Sequence, residues 1–392
     1  MARLYTCGFE LNTLADGFER FGTANSGSIS SSVFNSGAYS YRNNPSASIQ
    51  SCNFLLNAGA GIKTVYGRFY YRVTTQPASN SLVFSLTQSD LTTILFRLRG
   101  TGSGLRVMNS PNTQVGSDFA LSTGQWYLIE FYCFSNASTG AIEVKVDGVS
   151  VVNVTGTNTG GGDIGGFIFG SGFSLTHEYH IDDVAINDTS ASDQNSWPGA
   201  GKVICIRPNA AGDFNQFTRG GSDSGANWSQ CDEVTPNDAT DYNVSGTLNN
   251  TDLFNCAPSG INSYDTVNVV HVGDRFSNIV ADGTAQHYVL AEKTSSGTVA
   301  TGAVVGSLNS TTWRSNGLST TAFNPYGLTM YRDPDGSAWT QSTLDSMQIG
   351  YQITTGGSNG IAVSTVWAMV DYTPGTPPTG GSPTNKFLLG VG

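Results

Sequence analysis

Short runs in which apolar and polar residues alternate one by one recur along the chain, and this period of two constrains the fold more than any other feature. Successive side chains of a strand point to opposite faces, so each run can bury one face of a sheet. Examples in the first half are 65–73, 82–86, 94–99, 126–134 and 142–148. The 3.6-residue spacing of amphipathic helices is nearly absent. The pattern therefore predicts an all-β protein built from antiparallel β-sandwiches.

The composition supports many short strands joined by tight turns. Charged residues make up only 12% of the chain, and 48 glycines together with Ser, Thr and Asn supply the polar character. Gly and Asn adopt the positive φ that tight turns need. Phe, Tyr and Trp number 20, 16 and 6, which is too much apolar surface for a disordered chain. The net charge is −11 with no basic cluster, so nucleic acid is not an expected partner.

A length of 392 residues favours two domains. We predict a first jelly-roll sandwich over 1–190, a linker over 191–201, a second sandwich over 202–372, and a Pro/Gly-rich tail with an apolar tip over 373–392.

Asp147-Gly148 between two β-branched runs predicts a hairpin. Hydroxyl residues in 339–346 offer caps and predict one short helix.

Targeting signals and disulfide bonds are not expected. No apolar run approaches the roughly 20 residues of a membrane span, so no membrane insertion is expected, and the first residues lack the apolar core of a signal peptide. We therefore expect synthesis in a host cytoplasm without a leader.

The six cysteines contain no CxxC pair and are expected to be buried thiols. Cys231 and Cys256 flank one loop-rich segment and are the pair that could form an exception.

Three segments of the first half resemble the concanavalin-A-like, laminin-G-type jelly roll. They are GQWYLIE at 124–130, IEVKVDG at 142–148 and HIDDVAI at 180–186, and residues 8–10 and 37–42 suit that family's first strands. The resemblance covers about half of the chain and implies a jelly-roll fold. It implies no single function, because this fold serves enzymes, lectins and structural modules alike.

The second half resembles a module of tailed-bacteriophage structural proteins, which a jelly roll of the first type often precedes. The resemblance lies in NWSQCDE at 227–233, DATDY at 238–242, DLF at 252–254 and WTQSTLDSMQIG at 339–350. It implies a component of the virion surface, such as a capsid decoration, a head fibre or a tail-associated protein. Other virion proteins and further copies of the same chain are the implied partners.

The densest group of metal-ligand side chains is His177, His180, Asp182 and Asp183. Period two places the two histidines on opposite faces of a strand, so they do not chelate one ion together. The apolar phase shifts after Ile181, which predicts a β-bulge at Asp182-Asp183, and these carboxylates could then bind calcium. The alternative, which we favour, is that both acids accept hydrogen bonds from loop N–H groups. No other cofactor is expected.

Two other classes of function compete with a structural role. Carbohydrate binding, as in recognition of a host-surface glycan, would use loop aromatic residues, and Trp197, Trp228 and Trp313 are the candidates, although each could equally cover the edge of a core. A glycoside hydrolase needs two carboxylates facing one groove, and the chain has no Glu-x-Asp-x-Glu run. We therefore expect no enzymatic activity. Replacement of Glu130 and Glu143 would test that expectation.

The chain closes with the apolar tip NKFLLGVG at 385–392, which follows a run of Thr, Pro and Gly. Exposed Phe and Leu favour association, so we predict that this tip docks on another protein. Phe387, Leu388, Leu389 and Val391 would form the anchor that attaches the chain to a particle.

Overall fold

The structure is a computed structural model, and it describes residues 2–15, 18–19, 27–45, 48–56, 61–280, 284–306, 311–315, 327–357 and 360–377. The predicted anchor residues Phe387, Leu388, Leu389 and Val391 lie outside the described residues. Their role therefore stays a prediction. In the described part of the chain, no helix has both the length and the apolar character needed to cross a bilayer.

Strands β1 to β14 form two antiparallel sheets that face each other, and we call this unit the N-terminal sandwich. The larger sheet has the order β12-β11-β10-β5-β14-β3-β2, with β1 also paired to β14, and the smaller has the order β4-β13-β6-β7-β8-β9. The strands are β1 Arg3–Cys7, β2 Ser28–Ser30, β3 Ser40–Asn43, β4 Ser48–Leu55, β5 Thr64–Thr75, β6 Leu82–Thr87, β7 Ile94–Gly100, β8 Gly104–Asn109, β9 Gln114–Ala120, β10 Trp126–Phe134, β11 Gly140–Val146, β12 Val149–Thr157, β13 Gly166–Leu175 and β14 Glu178–Asn187.

An aromatic core fills the space between these two sheets, because the inward positions of the alternating runs carry mostly Phe and Tyr. The rings of Phe54 and Phe167 stack with their centroids 4.5 Å apart. Gly67 leaves room for the ring of Phe131, since a Cβ at Gly67 would come within 2.2 Å of it. Burial of one such side chain contributes about 1.5–3 kcal/mol. The core therefore packs the inner face of the larger sheet against the smaller sheet, and the alternate side chains of the larger sheet lie on its outer face.

Strands β15 to β27 form a second pair of antiparallel sheets, the C-terminal sandwich. One sheet has the order β17-β18-β27-β20-β24, with β15 on β27 and β25 on β20; the other has the order β16-β19-β26-β21-β22, with β23 on β21. The strands are β15 Lys202–Ile206, β16 Pro208–Asn215, β17 Thr218–Gly221, β18 Asp241–Ser245, β19 Thr251–Cys256, β20 Thr266–Asn278, β21 Gln286–Lys293, β22 Thr298–Thr301, β23 Val305–Gly306, β24 Arg314–Ser315, β25 Leu328–Met330, β26 Met347–Thr355 and β27 Ile361–Thr373.

Several local predictions are confirmed. The all-β class holds, and the hairpin joins β11 to β12, where Asp147 and Gly148 have φ of 49° and 79°. The short helix α1 spans Gln341–Asp345, and the Thr340 side chain caps it by accepting from the N–H of Thr343 at 3.1 Å. A 3₁₀ helix spans Asn227–Gln230. All six cysteines, including Cys231 and Cys256, are free thiols.

A buried cluster of charges joins the two sandwiches, and we call Arg3, Arg68 and Asp371 the joint. Arg68 Nη2 lies 2.8 Å from Asp371 Oδ1, and Arg3 Nη1 pairs with the other carboxylate oxygen. All three side chains are fully buried. Burial alone would raise the pKa of Asp371, but the attraction of Arg68 and Arg3 outweighs burial and holds that pKa below its ordinary value.

Apolar side chains surround this joint and extend it. Leu11 and Phe18 from the N-terminal sandwich pack with Val203, Trp367 and Met369 from the C-terminal sandwich. The rings of Phe18 and Trp367 stack at 6.4 Å. The two sandwiches are therefore held together by a packed, desolvated contact in addition to the connecting segment.

Candidate functional site

One row of side chains crosses five strands of the larger N-terminal sheet on the face that points away from the core. The strand registers place Trp126 of β10 opposite Arg72 of β5, and Arg72 opposite His180 of β14. They continue from His180 to Arg42 of β3 and then to Ser28 of β2. We call these five residues the cross-strand row. Four strand spacings give the row a length of about 19 Å.

The alternation of the strands fixes this row on the outer face. Each of its members is adjacent in sequence to a residue that packs against the aromatic core. These core neighbours are Tyr127, Tyr71, Ile181, Tyr41 and Ile29. A slip of one residue in any strand would move its polar side chain into the core, so burial of the aromatic neighbours holds the register of the row.

A groove of about 420 Å³ lies along the β2, β3 and β14 end of the row. Arg42, Arg72, His180 and Glu178 line it, together with Thr74 and residues 29–33. Trp126 extends the surface beyond the groove, because its ring centroid lies 6.5 Å from that of His180, with the planes at 69°. An open polar groove is thus continuous with a half-buried aromatic side chain.

The two arginines of the groove are held differently. Arg42 Nε donates to Glu178 Oε1 at 2.8 Å, so one carboxylate offsets its charge. Arg72 Nε donates to the main-chain oxygen of Gly124 at 3.2 Å, and within the described residues Arg72 forms no ion pair. The groove therefore has one positive charge without a counter-charge, on a chain whose net charge is −11.

His180 occupies the middle of the row and is 2% exposed. Burial lowers the pKa of His180 to about 4; Glu178 opposes this shift, whereas Arg72 and Arg42 add to it. The ring is therefore neutral at physiological pH. A neutral imidazole has one nitrogen that donates and one that accepts a hydrogen bond. Nδ1 of His180 has no hydrogen-bond partner among the residues that the structure describes.

His177 is directed elsewhere, and the prediction that the two histidines face opposite sides is confirmed. Its Nε2 lies 2.7 Å from Asn43 Oδ1, and its ring stacks on that of the buried Tyr179 at 5.2 Å. Burial lowers the pKa of His177 to about 4 as well. His177 therefore belongs to the core side of the sheet and takes no part in the groove.

Asp182 and Asp183 lie on the other half of the same sheet, under the loop at residues 35–38. The predicted bulge is confirmed, because the register of β14 shifts after Asp182 and Asp183 has a φ of 51°. Asp182 Oδ2 accepts from the N–H of Asn35 at 2.7 Å, and Asp183 Oδ1 accepts from the N–H of Val203 at 2.6 Å. Burial raises the pKa of both carboxyls, and repulsion by Asp183 adds to the shift of Asp182.

Asp182 accepts from the loop N–H groups of Asn35 and Ser36, as in the favoured interpretation, whereas the main-chain N–H from which Asp183 accepts belongs to strand β15. Across the described ranges, no group of three or more His, Cys, Asp and Glu side chains is arranged to hold a metal ion. Calcium binding by Asp182 and Asp183 stays a prediction.

Of the two acids considered for hydrolysis, Glu130 accepts a hydrogen bond from the segment that connects the sandwiches. Register places Glu130 opposite Lys145 and Glu143 opposite Tyr132, on the outer face of the larger sheet. Glu130 is 5% exposed; burial raises its pKa, while Lys145 and a hydrogen bond from the Gly199 N–H oppose that rise. Neither acid lines the groove at the cross-strand row.

The three tryptophans proposed as glycan contacts lie in three separate places. Trp197 packs against Tyr66 with centroids 5.3 Å apart, and Lys145 Nζ lies 3.6 Å from the centre of its ring. Trp228 is in the 3₁₀ helix and packs against the C-terminal core, and Trp313 contacts a tyrosine ring 5.7 Å away. None of the three lines the groove at the row. Their role in glycan contact stays a prediction.

A second groove, of about 380 Å³, lies on the C-terminal sandwich and has a different character. Phe214, Tyr288, Leu290 and Val299 contribute to its lining, and its described lining contains no charged side chain. Phe214 is 45% exposed. This groove therefore lacks the charge of the first groove.

Sequence patterns alone did not identify four of the site residues, which are Arg42, Arg72, Trp126 and Glu178. A usable signal was present, because Tyr41-Arg42, Tyr71-Arg72 and Trp126-Tyr127 each put a polar or amphipathic side chain beside an aromatic one in an alternating run. Alternation alone predicts that these side chains point outward. Only the strand registers bring them into one row.

Comparisons with known proteins give fold likeness only. No protein-family model and no curated protein matches the chain. Among solved structures, the cellulose-induced protein Cip1 is 17% identical, with 44% of this chain and 88% of that chain covered and a TM-score of 0.32. Domain 4 of the extracellular arabinanase AbnA from Geobacillus stearothermophilus is 15% identical (48% and 92% covered, TM-score 0.34). The carbohydrate-binding module CBM66 from Bacillus subtilis is 7% identical (42% and 94% covered, TM-score 0.30).

Proposed function

We propose that this chain is a non-enzymatic, carbohydrate-binding structural protein, and that it binds saccharide along the cross-strand row. The observation that carries the proposal is the row itself. It combines an aromatic side chain, Trp126, with hydrogen-bonding groups of Arg72 and of the buried His180 on the outer face of one sheet. Sugar rings present an apolar face and a rim of hydroxyl groups, and aromatic side chains beside a few placed polar groups suit both.

The absence of hydrolysis is part of the same proposal. Hydrolysis of a glycosidic bond uses two carboxyl groups on either side of the bond. Among the described residues that line the groove, Glu178 supplies the only carboxylate. This carboxylate is already paired with Arg42. We expect wild-type protein to release no reducing sugar from the saccharides that it binds. Release that is lost on replacement of Glu130 or Glu143 would overturn this part.

A glycan array tests the proposed site. Wild-type protein is expected to retain one class of glycan, and Trp126→Ala and Arg72→Gln are expected to lose it. Arg106→Gln is a matched control, because Arg106 lies on the smaller sheet in an exposed pair with Asp118. Thermal unfolding of each variant separates lost binding from lost folding. Binding that survives in both row variants and fails in Trp197→Ala or Trp313→Ala would move the site to the loop tryptophans.

The finer part of the proposal is that the chain works at the surface of a bacteriophage particle, in several copies and next to other virion proteins. The resemblance of 227–233, 238–242, 252–254 and 339–350 to phage structural modules supports it. The buried joint also supports it, because rigidly connected sandwiches suit a component that must hold its shape outside a particle. Deletion of 385–392 is expected to leave a folded protein that no longer joins particles, as scored by immunoblot of purified virions. Full incorporation without these residues would contradict the anchor.

A further inference from the structure

We propose that the saccharide bound along the cross-strand row is acidic, and that Arg72 holds its carboxylate beside His180. This inference rests on the proposed function and names the class of its ligand. The distribution of charge around the groove is unlike that of the rest of the chain.

The chain carries 29 acidic and 18 basic side chains, and its net charge of −11 repels anions. The groove reverses this balance, because its described lining includes two arginines and one carboxylate. Arg42 is already engaged by Glu178 at 2.8 Å. The positive charge available to a ligand is therefore that of Arg72.

The guanidinium of Arg72 is available to a ligand in the groove. Its Nε donates to the main-chain oxygen of Gly124, and the Arg72 side chain contributes to the lining of the groove. The remaining N–H groups of a guanidinium form a planar fork that matches the two oxygens of a carboxylate. Pairing in β5 and β10 places Trp126 directly beside Arg72. A sugar ring packed on Trp126 can therefore direct its carboxylate to Arg72.

His180 supplies the second contact. It is the cross-strand neighbour of Arg72, is nearly fully buried, and has a ring nitrogen without a partner in the described residues. A buried polar atom without a partner is costly, and a ligand group that donates to it or accepts from it would remove that cost. Because the ring is neutral, His180 adds a hydrogen bond and no charge, so the charge preference of the site depends on Arg72.

The test uses pairs of ligands that differ only in charge. A panel of oligomers of different uronic acids and of sialylated glycans is titrated by calorimetry, each next to its methyl ester, in which the carboxylate is neutral. We expect at least one free acid to bind wild-type protein about tenfold or more tightly than its ester, and to weaken as NaCl is raised. Arg72→Gln should remove the preference for the acid, so that acid and ester bind the variant with similar affinity, and Arg72→Lys should keep part of the preference. Arg106→Gln should behave as wild type.

The outcomes separate this inference from the function on which it rests. Equal binding of acids and esters, lost in Trp126→Ala, would overturn the acidic ligand and leave carbohydrate binding at the row in place. A preference for acids that survives in Arg72→Gln would overturn the role of Arg72. No binding by any saccharide of the panel or of the array would overturn both proposals. On the glycan array, a preference for sulfated over carboxylated sugars would also overturn the carboxylate assignment.

Discussion

Arg68 Nη2 lies 2.8 Å from Asp371 Oδ1 with both side chains fully buried, and this pair ties β5 of the N-terminal sandwich to β27 of the C-terminal sandwich. Arg68 lies four residues before Arg72 on the same strand and on the same face. One face of the larger sheet therefore serves two purposes. Its half around Arg68 is covered by the C-terminal sandwich, and its half around the cross-strand row stays open.

Removing the carboxylate from the joint should destabilise the protein strongly. Asp371→Asn leaves Arg3 and Arg68 buried without a counter-charge, and breaking a buried pair in this way costs about 3–5 kcal/mol. Asp118→Asn, in the exposed pair with Arg106, should cost about 0–1 kcal/mol. Urea unfolding of both variants measures the free energies. Equal losses would contradict a structural role for the joint.

The close approach of the connecting segment to Arg68 depends on Gly201. A Cβ at Gly201 would lie 2.2 Å from Arg68 Nη1, well inside contact distance. Gly201→Ala should therefore displace the guanidinium and cost about 1–3 kcal/mol, as overpacking of an interior does. Ala200→Ser, one residue earlier and exposed, is the control and should unfold as wild type. A Gly201→Ala protein as stable as this control would argue against the described packing.

Glu10 should make stability depend on pH. Burial, with repulsion from Glu19, raises the pKa of Glu10 to about 8, although the N–H groups of Ala38 and Tyr39 oppose the shift. The folded state then keeps a proton that the unfolded state releases near pH 4.5. The contribution of Glu10 to the free energy of unfolding is present at low pH and declines as the pH rises to about 8.

Glu10→Gln removes this titration, so the wild type should lose stability relative to the variant between pH 5 and pH 8, by up to about 1.4 kcal/mol per pH unit. Denaturant unfolding at a series of pH values gives the difference between the two proteins. Parallel pH profiles for wild type and variant would show that Glu10 does not hold its proton in the folded state.

Chelation tests the two interpretations of Asp182 and Asp183. Since these carboxylates accept hydrogen bonds from Asn35, Ser36 and Val203, we expect EDTA to leave the melting temperature unchanged. A fall of several degrees that added calcium reverses would instead establish the calcium site. Calorimetric scans with and without each reagent are sufficient.

More of the fold than of the site could be predicted from the sequence, and the reason is physical. Alternation reports which face of a strand is buried, so the strands, the hairpin at Asp147-Gly148 and the bulge at Asp183 could be read along the chain. The site instead depends on which strands are neighbours and in what register. Arg42, Arg72 and His180 are widely separated in sequence and become adjacent only through the pairing of β3, β5 and β14. The joint is equally non-local, because Arg3 and Asp371 stand near opposite ends of the chain.

The most direct test of the account is a crystal structure of the protein with a bound oligosaccharide selected by the array. We predict that the sugar lies across β10, β5 and β14, with one ring on Trp126 and a carboxylate within hydrogen-bond distance of Arg72. A sugar bound at Trp197, or in the groove beside Phe214 and Tyr288, with the cross-strand row empty, would contradict it.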